Sequence, residues 1–203
     1  MPIAPVITRL SAPAEIIGLD LIAEFIGLDP DLDANQDKVL PVLRRAAIEQ
    51  GEQITGAVWG GASYRIDDLA TSWPEAGIPM PISPVFEVAA VEGYGYFGAP
   101  VAIDPADYTL IPAAIDLGRP WALLRPVGSW PSDVQFLSVT CMAGWAADTL
   151  PESIRAWALI RSATLYDNRD DMVTGTITAE MPRDHARGLL DRWTVRGNPY
   201  AVG

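Results

Sequence analysis

The stretch PESIRAWALIRSATLYDNRDDM, residues 151–172, marks the point where the sequence changes from a strand-like pattern to a helical one. Pro151 and Glu152 are typical of a first helical turn. Apolar residues then recur every three or four positions, which predicts an amphipathic helix over 151–169. Its last turn is crowded with polar groups, from Tyr166 to Asp171. These groups raise two alternatives, a catalytic cluster or the end of a helix.

Two further helices are predicted near the N-terminus. Ser11 followed by Pro13 is a helix-start signal, and apolar residues at helical spacing continue to about Gly27. The next helix spans 37–55, with Pro41 in its opening turns and Gly56 in the position of a C-terminal cap. Residues 1–10 are expected to form an extended arm.

Residues 57–145 carry a strand pattern interrupted by proline and glycine turns. The candidate strands are 57–66, 85–94, 99–111, 121–127 and 134–142. The fold class predicted from these patterns is α+β. It would be mainly a helical bundle, built from 13–27, 37–55 and 151–169, with a small antiparallel β domain over 57–145. Residues 1–175 would form one domain, and 176–203 an extended C-terminal tail.

Composition excludes some classes of protein. The chain has 203 residues, 49% of them hydrophobic, so it is not intrinsically disordered. Its formal charge of −12 argues against binding DNA by phosphate neutralisation. Cys141 is the only cysteine, which fits a reducing cytoplasm. The opening residues lack the apolar run of a signal peptide, and no stretch is apolar enough to span a bilayer.

Two apparent ligand-binding motifs fail on closer inspection. GYGYFG, residues 93–98, has the spacing of a dinucleotide site, but Pro100 and a β-rich run follow where a helix is required. It is interpreted as a β-hairpin connection. DPDLDANQD, residues 29–37, lacks the glycine and glutamate of a calcium loop in either register. With His185 the only histidine, we predict no enzyme activity, no cofactor and no metal site.

The polar cluster after residue 165 is interpreted as a helix end. Arg169 would complement the negative end of the helix dipole, and Tyr166 would pack its ring while its hydroxyl stays in water. Tyr166 and Arg169 are therefore a helix-end signature, and no catalysis is assigned to them.

Taken together, residues 11–172 resemble the head-to-tail connector, or adaptor, proteins of long-tailed bacteriophages and phage-like gene transfer agents. The similar segments follow the family's order: an opening helix with an acidic turn, a second helix closing on Thr-Gly, a strand pair with Asp-Tyr after it, a strand ending in Ala-Gly-aromatic, and a final helix. In this sequence they are SAPAEIIGLDLIAEFIGLD, NQDKVLPVLRRAAIEQGEQITGAVW, ISPVFEVAAVEGY with DPADYTLI, SVTCMAGW, and LPESIRAWALIRSATLYDNRDD.

The resemblance implies a structural role. It implies a homo-oligomeric ring, commonly twelve-fold, docked below the portal protein of the capsid, with a stopper or other tail-side neck protein on its opposite face. DNA would pass through the ring during packaging and ejection without specific binding. The protein would be located in the neck of the virion or gene transfer agent particle, after assembly in the bacterial cytoplasm. The alternatives are a small acidic-cleft hydrolase or lyase, and an interaction domain outside phage.

The tail, residues 176–203, is the basic part of an acidic chain. It carries four arginines against three carboxylates, and Pro182 precedes a predicted short helix over 183–194. In similar connectors the C-terminal segment docks on the portal, so we predict a portal interface with arginines that meet portal carboxylates and apolar anchors. Its residues are Arg187, Leu189, Leu190, Arg192 and Trp193. The alternative is a tail that packs back onto its own domain.

Overall fold

The computed structural model describes residues 4–28, 38–72, 77–95, 99–168, 186, 188–195, 197 and 200. Within these residues the chain forms three α-helices and two antiparallel sheets, with 31% of the residues helical and 30% in strands. The prediction of a mainly helical bundle with a small β domain is therefore wrong. The strands carry as much of the fold as the helices, because an N-terminal strand joins the sheet and the first helix is short.

The larger sheet has five strands in the order β1-β2-β8-β4-β5, all antiparallel to their neighbours. Its strands are β1 (Val6–Arg9), β2 (Ala62–Ala70), β4 (Val85–Tyr94), β5 (Val101–Ile103) and β8 (Phe136–Ala143). The central strand β8 has Leu137, Val139 and Cys141 fully buried, whereas Met142 on its other face is exposed. Successive side chains of a strand point to opposite faces, which places these residues on different sides of the sheet.

The smaller sheet has three strands in the order β3-β7-β6. These are β3 (Ile78–Pro79), β6 (Tyr108–Ile111) and β7 (Leu123–Pro126). A hydrophobic core contains buried residues of both sheets, among them Ile66, Leu124 and Val139. Apolar burial between two sheets stabilises such an arrangement by about 25 cal/mol per Å².

The helices form a second core. α1 (Leu19–Phe25), α2 (Leu40–Thr55) and α3 (Glu152–Asp167) contribute to it, together with residues at the start and end of the larger sheet. Trp59 is fully buried, and its ring meets that of Trp157 edge to face with 5.6 Å between centroids. This pair joins the α2–β2 connection to the middle of α3.

The first helix is shorter than the predicted span 13–27. Residues before Leu19 are not helical because their backbone is bound elsewhere: the Ala14 N–H donates to the Gly61 carbonyl at 2.8 Å. Gly60 allows this close approach, since a Cβ there would lie 2.8 Å from the Ala14 carbonyl oxygen. Ile16 and Ile17 are therefore buried by a non-helical segment, although their spacing also fits a helix.

The other two helices lie close to their predicted ranges. α2 begins at Leu40 where 37 was predicted, with Pro41 in its first turn, and Gly56 caps it with φ of 68°. α3 begins directly after Pro151 and ends at Asp167, two residues before the predicted end. The division of the chain at residue 175 stays a prediction, because residues 169–185 lie outside the described part.

Candidate functional site

The solvent face of the larger sheet carries a network of charged groups. The Arg65 guanidinium pairs with Asp67 at 3.0 Å on its own strand and with Glu92 at 3.3 Å on β4. Ser138, on the strand between them, donates its hydroxyl to Asp67 at 2.5 Å. The hydrogen bond that Arg65 donates to Asp67 is the main cause that raises the pKa of Arg65. Because these groups are 31–43% exposed, the ion pairs contribute little stability, on the order of 0–1 kcal/mol each.

A bulge in β2 lies beside this network. The register between β2 and β8 shifts between Ile66 and Leu69, and Asp68 takes a positive φ of 64°. Tyr94 holds the bulge: its hydroxyl donates to the Asp68 carboxylate at 2.6 Å and accepts from the Asp68 N–H at 3.0 Å. Burial, and then this contact, raise the pKa of Tyr94 to about 12. The phenol is therefore neutral, and its two hydrogen bonds to Asp68 stabilise the bulge.

A half-buried carboxylate fixes the connection between α2 and β2. Glu52 accepts the Trp59 N–H at 2.7 Å, and the Thr55 hydroxyl accepts the Trp59 indole N–H at 3.0 Å. Burial raises the pKa of Glu52, and the bond from Trp59 partly offsets this effect. This cluster fixes the connection between α2 and β2, and it was not predicted from the sequence. The signal was a Glu, a Thr and a Trp spaced around the Gly56 cap.

The described residues show no further arrangement suited to chemistry. In that part of the chain no group of three His, Cys, Asp or Glu side chains could hold a metal ion. Burial raises the pKa of the Cys141 thiol to about 12, so it is not a nucleophile at neutral pH. No helix among the described segments is long and apolar enough to cross a membrane.

The two ligand-like motifs of the sequence have different outcomes. Gly93 and Tyr94 of GYGYFG lie in β4, which pairs antiparallel with β5, so the predicted β-hairpin connection is confirmed. Residues 96–98 of the motif lie outside the described part of the chain. DPDLDANQD also lies outside it.

The helix-end signature is only half described. α3 ends at Asp167, and the Asn168 side chain caps it by donating to the Thr164 carbonyl at 2.7 Å. Tyr166 is partly buried against the second core, as a packed ring would be. Arg169 lies outside the described residues, so its role at the helix dipole stays a prediction.

The described part of the tail contacts the chain's own domain. Leu190 is fully buried in the second core, and Leu189 packs against its edge. The Trp193 indole donates to the Ser153 hydroxyl at 2.7 Å, and its ring meets Trp145 edge to face at 6.0 Å. The Val195 N–H donates to the Thr55 carbonyl at 2.7 Å. Backbone and apolar side chains thus join the tail to α2 and α3.

Arg192 and Asp191 are exposed charged groups of this tail segment. Arg192 pairs with Asp116 at 3.3 Å and lies over the Trp193 ring, with its side chain 64% exposed. Arg187 lies outside the described residues. The predicted apolar anchors Leu190 and Trp193 contact other residues of the same chain. This arrangement is the one expected if the tail packs back onto its own domain. The predicted portal interface is not tested by these contacts and stays a prediction.

Comparison with known proteins gives matches among solved structures alone. No family model matches the sequence, and no curated protein does. A chain in the virion of a native gene transfer agent particle is similar, with a TM-score of 0.72 and 21% identity, covering 95% of this chain and 97% of that one. A chain in the neck of a native particle, computed with C12 symmetry, has a TM-score of 0.62 and 25% identity over 96% and 100%. The fold is that of a gene transfer agent neck protein.

A third similar chain comes from the neck of an empty particle computed with C6 symmetry, with a TM-score of 0.69 and 22% identity over 96% of this chain and 100% of that one. The similarity covers almost the whole of each chain. The resemblance to phage and gene transfer agent neck connectors, predicted from the sequence, is confirmed.

Proposed function

We propose that this protein is a structural adaptor in the neck of a phage-like or gene transfer agent particle, where it forms a homo-oligomeric ring between the portal and the tail-side neck proteins. The observation that carries the proposal is the similarity to a neck chain of a native gene transfer agent particle at 25% identity over 96% of this chain. That neck was computed with C12 symmetry, which supports a ring and makes twelve subunits our expectation.

The charge of the chain suits a conduit for DNA. DNA carries about one negative charge per 1.7 Å of helix axis, so a cationic channel would bind it. A subunit of formal charge −12 gives a ring of strongly negative potential, which repels the passing duplex. The proposed ring therefore lets DNA move during packaging and ejection and makes no specific contact with it.

The tail supplies the proposed contact with the portal. Because Leu190 and Trp193 are already packed within the chain, the proposed contact with the portal is made by the arginines of the tail. Arg192 is the described part of that contact, and Arg187 belongs to it by sequence. Leu189, Leu190 and Trp193 hold the segment in position for this contact.

The experiment is co-sedimentation of the purified protein with the portal protein of the same particle. We expect the wild type to bind and the double variant Arg187→Glu and Arg192→Glu to lose binding. Its melting temperature should fall only slightly, because the exposed ion pair of Arg192 with Asp116 contributes about 0–1 kcal/mol. Arg125→Glu changes an exposed arginine on the smaller sheet and is the matched control. A wild type that does not bind portal, or that turns over a substrate, would favour the alternative of an acidic-cleft enzyme or another interaction domain.

A further inference from the structure

The two edges of the five-stranded sheet are complementary in a way that the proposed ring can use. β1 lies at one edge and β5 at the other, and within the described residues each pairs with a strand on one side only. All four strand pairs are antiparallel and the number of strands is odd. β1 and β5 therefore run in the same direction. If copies of the chain are related by rotation about an axis parallel to the strands, β1 of one copy can lie beside β5 of the next. The two strands would then form a parallel pair.

The outer edge of β1 presents backbone groups that pair with no other strand of the described residues. The Leu10 N–H donates inward to the Ser63 carbonyl of β2 at 2.8 Å. Backbone groups alternate in direction along a strand, so Val6 and Thr8 also face β2. The N–H and C=O groups of Ile7 and Arg9 consequently face away from the sheet. Such a row of outward-facing donors and acceptors is a template for another strand.

Apolar side chains are exposed at both edges on the same face of the sheet. Ile7 pairs with buried Ile66, so it lies on the core face, yet it is 42% exposed. Val101 pairs with buried Gly93 on the same face and is 61% exposed. Strand alternation fixes these faces, and a pair that keeps both core faces aligned can place Ile7 beside Val101. Each side chain would then cover the other.

The charges at the two edges are opposite in sign. Arg9 ends β1, whereas Asp104 and Asp107 follow β5. Pairing the edges therefore brings a cation toward two carboxylates, a local attraction between subunits that each carry −12.

We propose that β1 of one subunit pairs in parallel with β5 of the next copy of this chain, and that this contact forms the head-to-tail interface of the ring. The proposal rests on the proposed function, because it assigns the interface of that ring. A twofold pairing of β1 with β1 would close into a dimer, whereas a β1–β5 contact joins two different surfaces and can continue around a ring. The similar neck chains come from structures computed with C6 and C12 symmetry, which requires the second kind of contact.

The experiment is a cross-link between the two edges. Within one chain, β1 and β5 are four strand spacings apart, about 19 Å at roughly 4.8 Å each. A bis-maleimide shorter than this separation cannot join them in one subunit. The variant carrying Ile7→Cys and Val101→Cys is treated at high salt, which screens the repulsion between subunits of charge −12 and should favour rings. Cys141 is buried and does not compete.

We expect a ladder of covalent multimers from the double variant and none from either single variant. The matched control carries Val42→Cys and Leu117→Cys, two exposed apolar positions outside both edge strands, and should give no ladder. Ile7→Lys should abolish rings without changing the melting temperature, because a lysine on an edge strand opposes strand addition. Val42→Lys is its control and should leave the rings intact.

The outcomes separate the interface from the function. Rings seen by microscopy without a ladder from the double variant would overturn the β1–β5 contact and leave the adaptor ring standing. Dimers from Ile7→Cys alone would also overturn it, since they indicate twofold pairing. If neither rings nor ladders form at any salt concentration, both this interface and the ring in the proposed function are wrong.

Discussion

Gly51 of α2 packs directly against the ring of Trp59. A Cβ at this position would lie 1.9 Å from the Trp59 ring, which is fully buried and cannot move aside. A glycine inside a helix costs about 1 kcal/mol of helix stability relative to alanine. The close contact between the helix and the Trp59 ring requires glycine here despite this cost. The joint between α2 and the sheet therefore depends on the missing side chain.

Gly51→Ala should lower the free energy of unfolding by about 1–3 kcal/mol, because overpacking outweighs the gain in helix propensity. Gly128→Ala is the control: nothing lies within 4 Å of its Cβ position, and the substitution should change stability by less than about 0.5 kcal/mol. Urea denaturation measures both. A Gly51→Ala protein as stable as the wild type would show that Trp59 does not pack against the helix.

Glu52 makes the stability of the same joint depend on pH. Burial raises its pKa above the ordinary value of 4.5, so the folded state holds the proton more tightly than the unfolded chain. This contribution to stability is present below the unfolded pKa and is lost as pH rises through the folded pKa. Glu52→Gln keeps an oxygen to accept the Trp59 N–H and removes the titration.

The melting temperature of Glu52→Gln relative to the wild type should therefore increase as pH rises from about 4 to about 7. Taking the difference between the two proteins cancels the other titrating groups. Thermal melts across this range check the prediction, and a difference that falls or stays constant with pH would contradict the burial of the Glu52 carboxylate.

The described part of the tail packs against the helical core of its own chain. Leu190 has no exposed surface, and Trp193 donates to Ser153 of α3. Truncating a buried leucine removes its burial energy and leaves a cavity. The tail therefore adds to the stability of the helical core as well as offering the proposed portal contact.

Leu190→Ala should lower the free energy of unfolding by about 2–5 kcal/mol. Leu117→Ala is the control, because that side chain is 78% exposed and its loss should be nearly neutral. Denaturation of the isolated protein distinguishes the two roles of the tail. A Leu190→Ala protein of unchanged stability would mean that the tail leaves its own domain in solution.

Sequence patterns predicted elements well where local signals and packing agree. α2 and α3 have cap residues, Gly56 and Pro151, at the ends where the structure places them. β4 was predicted with its observed bounds, Val85–Tyr94, since proline and glycine delimit it. In these elements the local preference of the chain and the tertiary contacts favour the same structure.

Prediction failed where long-range contacts override the local pattern. Residues 13–18 have helical spacing but are not helical, because the Ala14–Gly61 hydrogen bond joins them to the residue before β2. The arm at 1–10 was predicted to be extended, yet nothing local shows that Val6–Arg9 completes a sheet with β2. The surface network of Arg65, Asp67 and Glu92 likewise depends on strand register, which the sequence does not encode in any short motif.

Self-association of the whole molecule should depend on salt. Subunits of charge −12 repel one another, and the Debye length falls from about 10 Å at 0.1 M to about 3 Å at 1 M salt. We expect the isolated protein to be monomeric at low salt and to form rings as salt increases, with the portal acting as a template at physiological salt. Light scattering across a salt series measures this. Rings that dissociate as salt rises would show that attraction between charges, and not apolar contact, holds the subunits together.

The central claim is that this chain forms an adaptor ring on a portal. Negative-stain microscopy of the purified protein mixed with the portal protein of its own particle tests this most directly. Class averages should show an extra ring stacked on one face of the portal, coaxial with the channel and with twelve-fold symmetry in top views. Portal rings with no added layer, when the two proteins are mixed at saturating concentration, would contradict the account.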